Sequence, residues 1–249
     1  MLEPWVLLAL GGAGLLAGFV DAIAGGGGLI GLPALLAAGV PPVVALGTNK
    51  LQSVIGTAIA ALTYWRRGYV SLQLLAVAIV CSFAASFLGA LTVKQIDTSL
   101  LKVLVPIALM LIAVYFMFAP RLSDEDSHVR LRFTVFVPVM GALIGFYDGL
   151  LGPGTGSFFT MGFVALFGLG VTRAAGNTKV LNLASNLGGL ALFIPAGDFM
   201  WQAAAVMAVG QVVGGYLGAR TGIRFGAKLI RPLVIVISLT LAIKLLFFP

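Results

Sequence analysis

Two aspartates stand in otherwise apolar stretches of this chain, Asp21 within GFVDAIA and Asp148 within GFYDGLL. A charged residue at the centre of a membrane helix costs about 2.5–3.5 kcal/mol on insertion scales, so it usually serves a function. Apolar surroundings favour the neutral form of a carboxyl group, which allows it to load and release a proton. Asp21 and Asp148 are therefore candidates for proton coupling. The alternative is structural, with each carboxylate capping the next segment or pairing with a basic residue.

A glycine-rich break follows each aspartate, GGGG in the first case and GPGTG in the second. Glycines allow a membrane helix to unwind, and the next helix then begins with N–H groups that have no intrahelical partner. Such a positive helix end attracts an anion. The alternative is close helix packing, which small residues also promote in membranes. The breaks contribute the candidate anion-binding residues Gly25, Gly26, Gly27, Gly28, Gly152, Gly154 and Thr155.

Two polar clusters complete the candidate set, Asn49-Lys50 in the first half and Asn177-Thr178-Lys179 in the second. Amide, hydroxyl and ammonium groups are hydrogen-bond donors, which a sulfonate-like oxyanion requires. Each lysine is predicted to follow a turn and to open a long apolar helix. The alternative is therefore an interfacial lysine whose ammonium group reaches the lipid headgroups.

The sequence predicts no enzyme, no cofactor and no metal site. Its one histidine, His128, and its one cysteine, Cys81, lie in different regions, and no metal-spaced cluster is present. The stretch from Gly26 to Gly31 matches the dinucleotide pattern G-x-G-x-x-G, but it follows an apolar membrane segment instead of a strand. We therefore interpret these glycines as part of a helix break or a packing surface.

The composition predicts an integral membrane protein. Of 249 residues, 60% are hydrophobic and only 9% are charged, whereas soluble domains carry about 25% charged residues. The apolar runs are long and continuous, which favours an all-α protein over an outer-membrane barrel. The net charge of +7 is then explained by cytoplasmic loops, which collect Lys and Arg, and not by a nucleic-acid partner.

The chain also contains an internal repeat. Asp21 aligns with Asp148, and Lys50 aligns with Lys179, at a nearly constant offset of 127 to 129 residues. The repeat divides the chain into a first transmembrane unit (1–118), a cytoplasmic linker (119–132) and a second transmembrane unit (133–249), each unit with about five membrane elements including one short one.

The distribution of basic residues predicts the orientation. With five elements per half, most Lys and Arg residues of the loops lie in the cytoplasm, as is usual in membrane proteins. Both termini are then outside, and Lys94 lies in an external loop. An odd number of elements turns the second half upside down relative to the first. Inverted repeats are the architecture of many secondary transporters, and their substrate sites lie near the midplane at glycine-broken helices.

The motifs GFVDAIAGGGGLIGLPALL, ALGTNKLQS and TYWRRGYV resemble the TauE/SafE sulfite exporter family, also called the toluenesulfonate uptake permease family. The resemblance covers both halves, although the second half has GPGTG and GNTK where the first has GGGG and GTNK. It implies secondary transport of a sulfur-containing oxyanion (sulfite, sulfoacetate or a related organosulfonate) across a bacterial or archaeal inner membrane. The implied site comprises the two glycine breaks with Asn49, Lys50, Asn177, Thr178 and Lys179.

Three functional hypotheses follow: a transporter driven by the proton gradient, a passive anion channel, and a membrane scaffold without a transport cycle. Embedded polar groups in both halves favour transport, because a scaffold has no reason to bear their insertion cost twice. The expected partners are a small anionic substrate and membrane lipid. Homo-oligomerisation is left open.

Overall fold

A computed structural model describes residues 2–97, 125–126 and 132–226 of the chain, and the predicted spans at 101–118 and 229–248 lie outside these ranges. The described residues form helices joined by short turns, without a strand, as predicted for an all-α membrane protein. The helices are α1 (Pro4–Ala24), α2 (Gly28–Ala37), α3 (Pro42–Arg66), α4 (Leu72–Gln95), α5 (Phe133–Leu150), α6 (Thr155–Phe167), α7 (Val171–Ala196) and α8 (Trp201–Phe225).

Helix length separates the described helices into two kinds. Helices α1, α4, α5, α7 and α8 are long and apolar enough to cross a membrane. Helix α2 has 10 residues and α6 has 13, so α2 extends only about half of the roughly 30 Å hydrocarbon core. Both short helices follow a glycine-rich break, where the sequence predicts them.

The predicted starts of α3 and α7 were wrong. The sequence predicts helices from Leu51 and Val180, but α3 begins at Pro42 and α7 begins at Val171. Proline is favoured in the first turn, because its missing N–H has no intrahelical partner there. Lys50 and Lys179 consequently lie in the third turn of their helices. They are 2% and 1% exposed, which excludes the interfacial alternative.

The packing of the helices is reciprocal between the two halves of the chain. Helix α1 packs along α8 and α4 packs along α5, while α3 packs against α8 and α4 against α7. If helices α1–α4 are exchanged with helices α5–α8, each of these contacts becomes another contact of the set. This is the pattern expected for two halves related by a two-fold axis. Helices α3 and α7, which correspond under the swap, pack on each other at the centre. Inversion of the halves relative to the membrane stays a prediction.

Glycines bring the paired helices together. A Cβ on Gly14 of α1 would lie 2.4 Å from the carbonyl oxygen of Met207, and a Cβ on Gly210 of α8 would lie 2.4 Å from that of Gly11. No side chain fits at such distances, so the α1–α8 contact depends on small residues, as is common between membrane helices.

Two ion pairs join loops that the sequence predicts on the same side of the membrane. Lys94, at the end of α4, lies 2.7 Å from Asp198 in the α7–α8 turn, and both are predicted to be external. Arg173 at the start of α7 pairs with Asp126 of the linker, and both are predicted to be cytoplasmic. The contacts agree with the predicted sidedness, which itself stays a prediction.

Candidate functional site

The two glycine breaks lie in direct contact at the centre of the structure. Helix α1 ends at Gly25, which has a φ of 77°, and its carbonyl oxygen accepts a hydrogen bond from the Ser157 N–H at 3.2 Å. A Cβ on Gly25 would lie 2.2 Å from the carbonyl carbon of Gly156, and a Cβ on Gly156 would lie 2.5 Å from Gly25 Cα. Positive φ and this approach leave room only for glycine at position 25.

A polar cavity lies beside this contact. About 260 Å³ of space not filled by atoms, part of it open to the outside, lies between its lining residues. The lining residues come from both halves of the chain, and they are Asp21, Gly25, Gly28, Asn49, Ser53, Asp148, Gly152, Thr155, Gly156, Asn182 and Asn186.

Each lysine of the candidate set pairs with the aspartate of the opposite half. Lys50 Nζ lies 2.9 Å from Asp148 Oδ2, and Lys179 Nζ lies 3.0 Å from Asp21 Oδ2. All four side chains are almost fully buried. The two aspartates line the cavity, and the two lysines lie outside its lining. Each aspartate thus pairs with a basic residue in the structure, and whether it also couples protons stays a prediction.

The two ion pairs differ in their further hydrogen bonds. Lys179 Nζ also donates to the backbone oxygen of Asp21, and Asp21 Oδ1 lies 3.3 Å from the Gly27 N–H. On the other side, Asp148 Oδ1 lies 2.8 Å from the Thr155 hydroxyl. Asp148 Oδ2 faces the Lys50 ammonium group at 2.9 Å, which is the distance of a charge-assisted hydrogen bond.

Amide groups supply neutral donors at the cavity. Asn186 Nδ2 donates to the backbone oxygen of Asn182 at 2.8 Å and lies 3.2 Å from Asn182 Oδ1. A backbone oxygen only accepts, so this contact fixes the orientation of both amides and turns the NH2 group of Asn182 away from Asn186. In α3, Gln52 Nε2 lies 2.9 Å from Asn49 Oδ1 in the same way. Among the three cavity asparagines, Asn49 and Asn182 therefore have their side-chain oxygens occupied and their NH2 groups left for another acceptor, whereas Asn186 uses its NH2 group on Asn182.

The breaks offer backbone donors as well, though fewer than the sequence predicts. The first-turn residues Gly28 of α2 and Gly156 of α6 line the cavity, and first-turn N–H groups have no intrahelical partner at i−4. Two other N–H groups of the breaks are already used, because that of Thr155 donates to the Gly152 oxygen at 3.3 Å and that of Gly27 donates to Asp21. A positive helix end thus faces the cavity from each half.

Five of the twelve predicted substrate-binding residues line the cavity: Gly25, Gly28, Asn49, Gly152 and Thr155. The other seven lie outside its lining: Gly26, Gly27, Lys50, Gly154, Asn177, Thr178 and Lys179. Both predicted proton-coupling residues, Asp21 and Asp148, line it. The roles assigned to these residues in binding and coupling stay predictions.

Asn177 has a structural contact that the sequence did not reveal. Its Oδ1 accepts the Ser71 N–H at 3.1 Å, at the start of α4. At the equivalent position of the other half, Thr48 Oγ1 accepts the Met200 N–H at 2.9 Å, at the start of α8. Each side chain therefore accepts a backbone hydrogen bond at the beginning of a long helix. Next to Asn177, the Thr178 hydroxyl lies 3.1 Å from that of Thr160.

Sequence reasoning missed four lining residues, namely Ser53, Gly156, Asn182 and Asn186. A signal for two of them exists, because Ser53 and Asn182 occupy equivalent positions, three residues after Lys50 and Lys179. Residues three and four apart lie on the same helix face, so the polar side chains that follow each lysine could have been assigned to its face.

Comparison with known proteins adds family relationships. The model of the family described as "Sulfite exporter TauE/SafE" matches residues 10–245. The chain is 46% identical to a probable membrane transporter protein, ORF9, of Sinorhizobium sp over 95% of this chain and 91% of that protein. It is 42% identical to the probable membrane transporter protein YfcA of Escherichia coli K12 over 99% and 92%. A probable membrane transporter protein of Haemophilus influenzae is 42% identical over 94% and 92%. No solved structure matches the chain.

Proposed function

The chain belongs to the TauE/SafE sulfite exporter family and is a membrane transporter, and we propose that it carries a small sulfur-containing oxyanion together with a proton. It is a multi-pass protein of the bacterial inner membrane, as its apolar helices and bacterial relatives indicate. The proposed substrates are sulfite, sulfoacetate or a related organosulfonate.

The observation that carries the proposal is the position of the two ion pairs beside a polar cavity. Lys50–Asp148 and Lys179–Asp21 each join the two halves of the chain, and their carboxylates line the cavity. Buried ion pairs contribute little net stability, because desolvation of the charges offsets their attraction. Two such pairs at the contact of the halves are therefore better explained by a substrate than by folding.

The donors around the cavity suit an oxyanion. Asn49 and Asn182 present amide NH2 groups, and the first turns of α2 and α6 present backbone N–H groups. An oxyanion distributes its charge over several oxygens, so several converging donors bind it better than one. Hydrogen bonds to a charged group contribute about 1.5–3 kcal/mol each, so several such contacts are needed to offset the cost of association and give measurable affinity.

Proton coupling follows from the charges. An anion that enters the cavity meets a carboxylate, which repels it, and a lysine that the carboxylate already neutralises. Protonation of the carboxyl group removes the repulsion and releases the lysine to the anion. The net charge of lysine, carboxyl group and anion is then zero both before and after the anion binds. A zero net charge keeps the electrostatic cost in the low-dielectric interior small.

Transport in reconstituted vesicles tests the proposal. Purified protein in proteoliposomes should accumulate labelled sulfoacetate when the external medium is more acidic than the lumen, and only equilibrate it when the pH values are equal. Lys94→Gln is the matched control, because Lys94 belongs to a partly exposed ion pair far from the cavity. Entry without accumulation under the gradient would identify a passive channel, and absence of entry for sulfite and sulfoacetate alike would identify a protein without this transport activity.

A further inference from the structure

Gln52 is a fully buried amide on α3 that lies outside the cavity lining. Its side chain is 0% exposed, and it is not among the residues that line the cavity. Its Nε2 lies 2.9 Å from Asn49 Oδ1 and 3.2 Å from Ser53 Oγ. Asn49 and Ser53 both line the cavity. The single NH2 group of Gln52 therefore contacts an acceptor atom on each of two neighbouring lining residues.

These contacts determine which atoms of the two lining residues are left for a ligand. An amide whose oxygen accepts a hydrogen bond still has its NH2 group to donate, and a hydroxyl whose oxygen accepts one still has its own hydrogen to donate. With Gln52 in place, Asn49 and Ser53 are therefore donors to the cavity. An oxyanion requires donors, and an amide oxygen turned toward it would repel it.

The orientation of the Gln52 amide follows from its acceptors. The structure leaves Gln52 Oε1 buried without a hydrogen-bond partner among the described residues. If nitrogen and oxygen exchanged places, the two N–H groups would lie in that position, and one unpartnered acceptor would become two unpartnered donors. A buried N–H without a partner is the rarer case in proteins. The amide therefore donates toward Asn49 and Ser53.

The fold itself does not explain an amide at this position. A buried oxygen without a hydrogen bond costs stability. At the offset of 129 residues that aligns Lys50 with Lys179, the residue equivalent to Gln52 is Leu181, which is also fully buried in a long helix. The packing of the second half thus accepts an apolar side chain where the first half has a glutamine.

A glycine of the short helix α2 makes room for the hydrogen bond between the two amides. A Cβ on Gly31 would lie 2.5 Å from Asn49 Oδ1 and 3.0 Å from Gln52 Nε2. A side chain at this position would displace the two atoms that form the bond. The contact between Asn49 and Gln52 therefore depends on the close approach of α2 to α3.

From these contacts we infer that Gln52 is a positioning residue of the anion site, which orients Asn49 and Ser53 as donors before the anion arrives. The inference rests on the proposed function and adds a residue that determines affinity without touching the substrate. Without Gln52, the Asn49 amide and the Ser53 hydroxyl are free to turn, and the anion must order both when it binds. The cost of ordering side chains lowers the affinity.

The experiment measures two quantities for purified protein in detergent, the dissociation constant of methanesulfonate by calorimetry and the melting temperature without ligand. Gln52→Met replaces the amide by an apolar side chain of similar length. It should raise the dissociation constant about tenfold, because two side chains must be ordered on binding. The melting temperature should equal or exceed that of the wild type, since the variant removes an unpartnered buried oxygen. A residue with a merely structural role would instead lower the melting temperature when it is replaced.

A second background tests whether Gln52 acts through Asn49. In Asn49→Ala protein, Gln52→Met should raise the dissociation constant no more than about threefold, because Ser53 alone is left to be ordered. Gln211→Met is the matched control. Gln211 is a buried glutamine of α8 that packs against Gly18 and Gly56, outside the cavity lining, and its replacement should leave the dissociation constant unchanged.

Wild-type affinity of Gln52→Met for methanesulfonate overturns the inference while leaving the proposed function intact. The same conclusion follows if Gln52→Met has an equal effect with and without Asn49, or if Gln211→Met weakens binding as much. If Gln52→Met does not fold, Gln52→Leu replaces it, because leucine is the residue of the equivalent position. Failure of both variants to fold assigns Gln52 to the fold and overturns the inference. Absence of wild-type binding to both methanesulfonate and sulfite contradicts the proposed function itself, and the inference with it.

Discussion

Lys50 Nζ lies 2.9 Å from Oδ2 of Asp148, a residue of the opposite half of the chain. Lys179 and Asp21 form the same contact with the halves exchanged. Each half therefore supplies the counter-ion of the other at the wall of the cavity. Under the proposed function, a movement of one half relative to the other that separates a lysine from its aspartate would link substrate binding to the arrangement of the halves.

The first prediction concerns stability. Lys50→Gln leaves Asp148 as a buried unpaired charge and should lower the free energy of unfolding by about 3–5 kcal/mol, and Asp148→Asn should do the same through Lys50. The double variant should recover most of the loss, because it contains neither charge. Thermal unfolding of the purified protein in detergent provides the measurement. Additive effects of the two substitutions would show that the pair does not interact.

Sequence reasoning predicts that Lys50→Gln weakens anion binding but leaves stability close to that of the wild type, because it assigns the lysine to an anion site at a helix start and does not pair it with Asp148. The difference arises from the helix boundary. The polar stretch around Thr48 resembles a turn when it is judged by hydropathy, since a helix facing lipid contains few such residues. Helix α3 instead packs among α2, α7 and α8, where the protein interior accommodates polar side chains.

The second prediction concerns the contact of the breaks. Gly25→Ala introduces a methyl group 2.2 Å from the Gly156 backbone at a φ of 77°, so it should strongly lower the thermal stability of the protein. Gly12→Ala is the matched control on the same helix, because no atom lies within 4 Å of the added Cβ. Alanine is a better helix former than glycine, and this variant should be as stable as the wild type or more so. Equal melting temperatures for the two variants would contradict the described contact.

The short helices and the glycine breaks follow from the sequence, because glycine and proline determine helix ends locally. That the two breaks lie together is predicted from the repeat, because the equivalent residues Asp21 and Asp148 precede them. The pairing of Lys50 with the distant Asp148, and not with its neighbour Asp21, could not be predicted, since it depends on how the halves pack. Asn182 was missed because a single amide in an apolar helix resembles a packing residue.

The third prediction concerns the cavity amides. Asn182→Ala removes one donor and should raise the dissociation constant of sulfite about tenfold to a hundredfold, as expected for a hydrogen bond to a charged group. Asn182→Asp should weaken binding further at neutral pH, because a carboxylate repels the anion. Thr92→Ala, an exposed position on α4, should leave binding unchanged. Wild-type affinity in both Asn182 variants would place the substrate elsewhere.

The fourth prediction concerns membrane sidedness. In a Cys81→Ser background, a cysteine at Glu3 should react with an impermeant thiol reagent added to intact cells, and a cysteine at Asp124 should react only after the membrane is opened. The predicted topology has both termini outside and the linker in the cytoplasm. Labelling of the Asp124 position but not the Glu3 position in intact cells would reverse the orientation.

The central claim is that an anion enters together with a proton, and lumenal pH measures this directly. Addition of methanesulfonate outside proteoliposomes that contain a trapped pH indicator should acidify the lumen when the wild-type protein is present. The Asp148→Asn protein should admit labelled methanesulfonate without acidification, and protein-free vesicles should do neither. Uptake of methanesulfonate by the wild-type protein at constant lumenal pH would contradict the account.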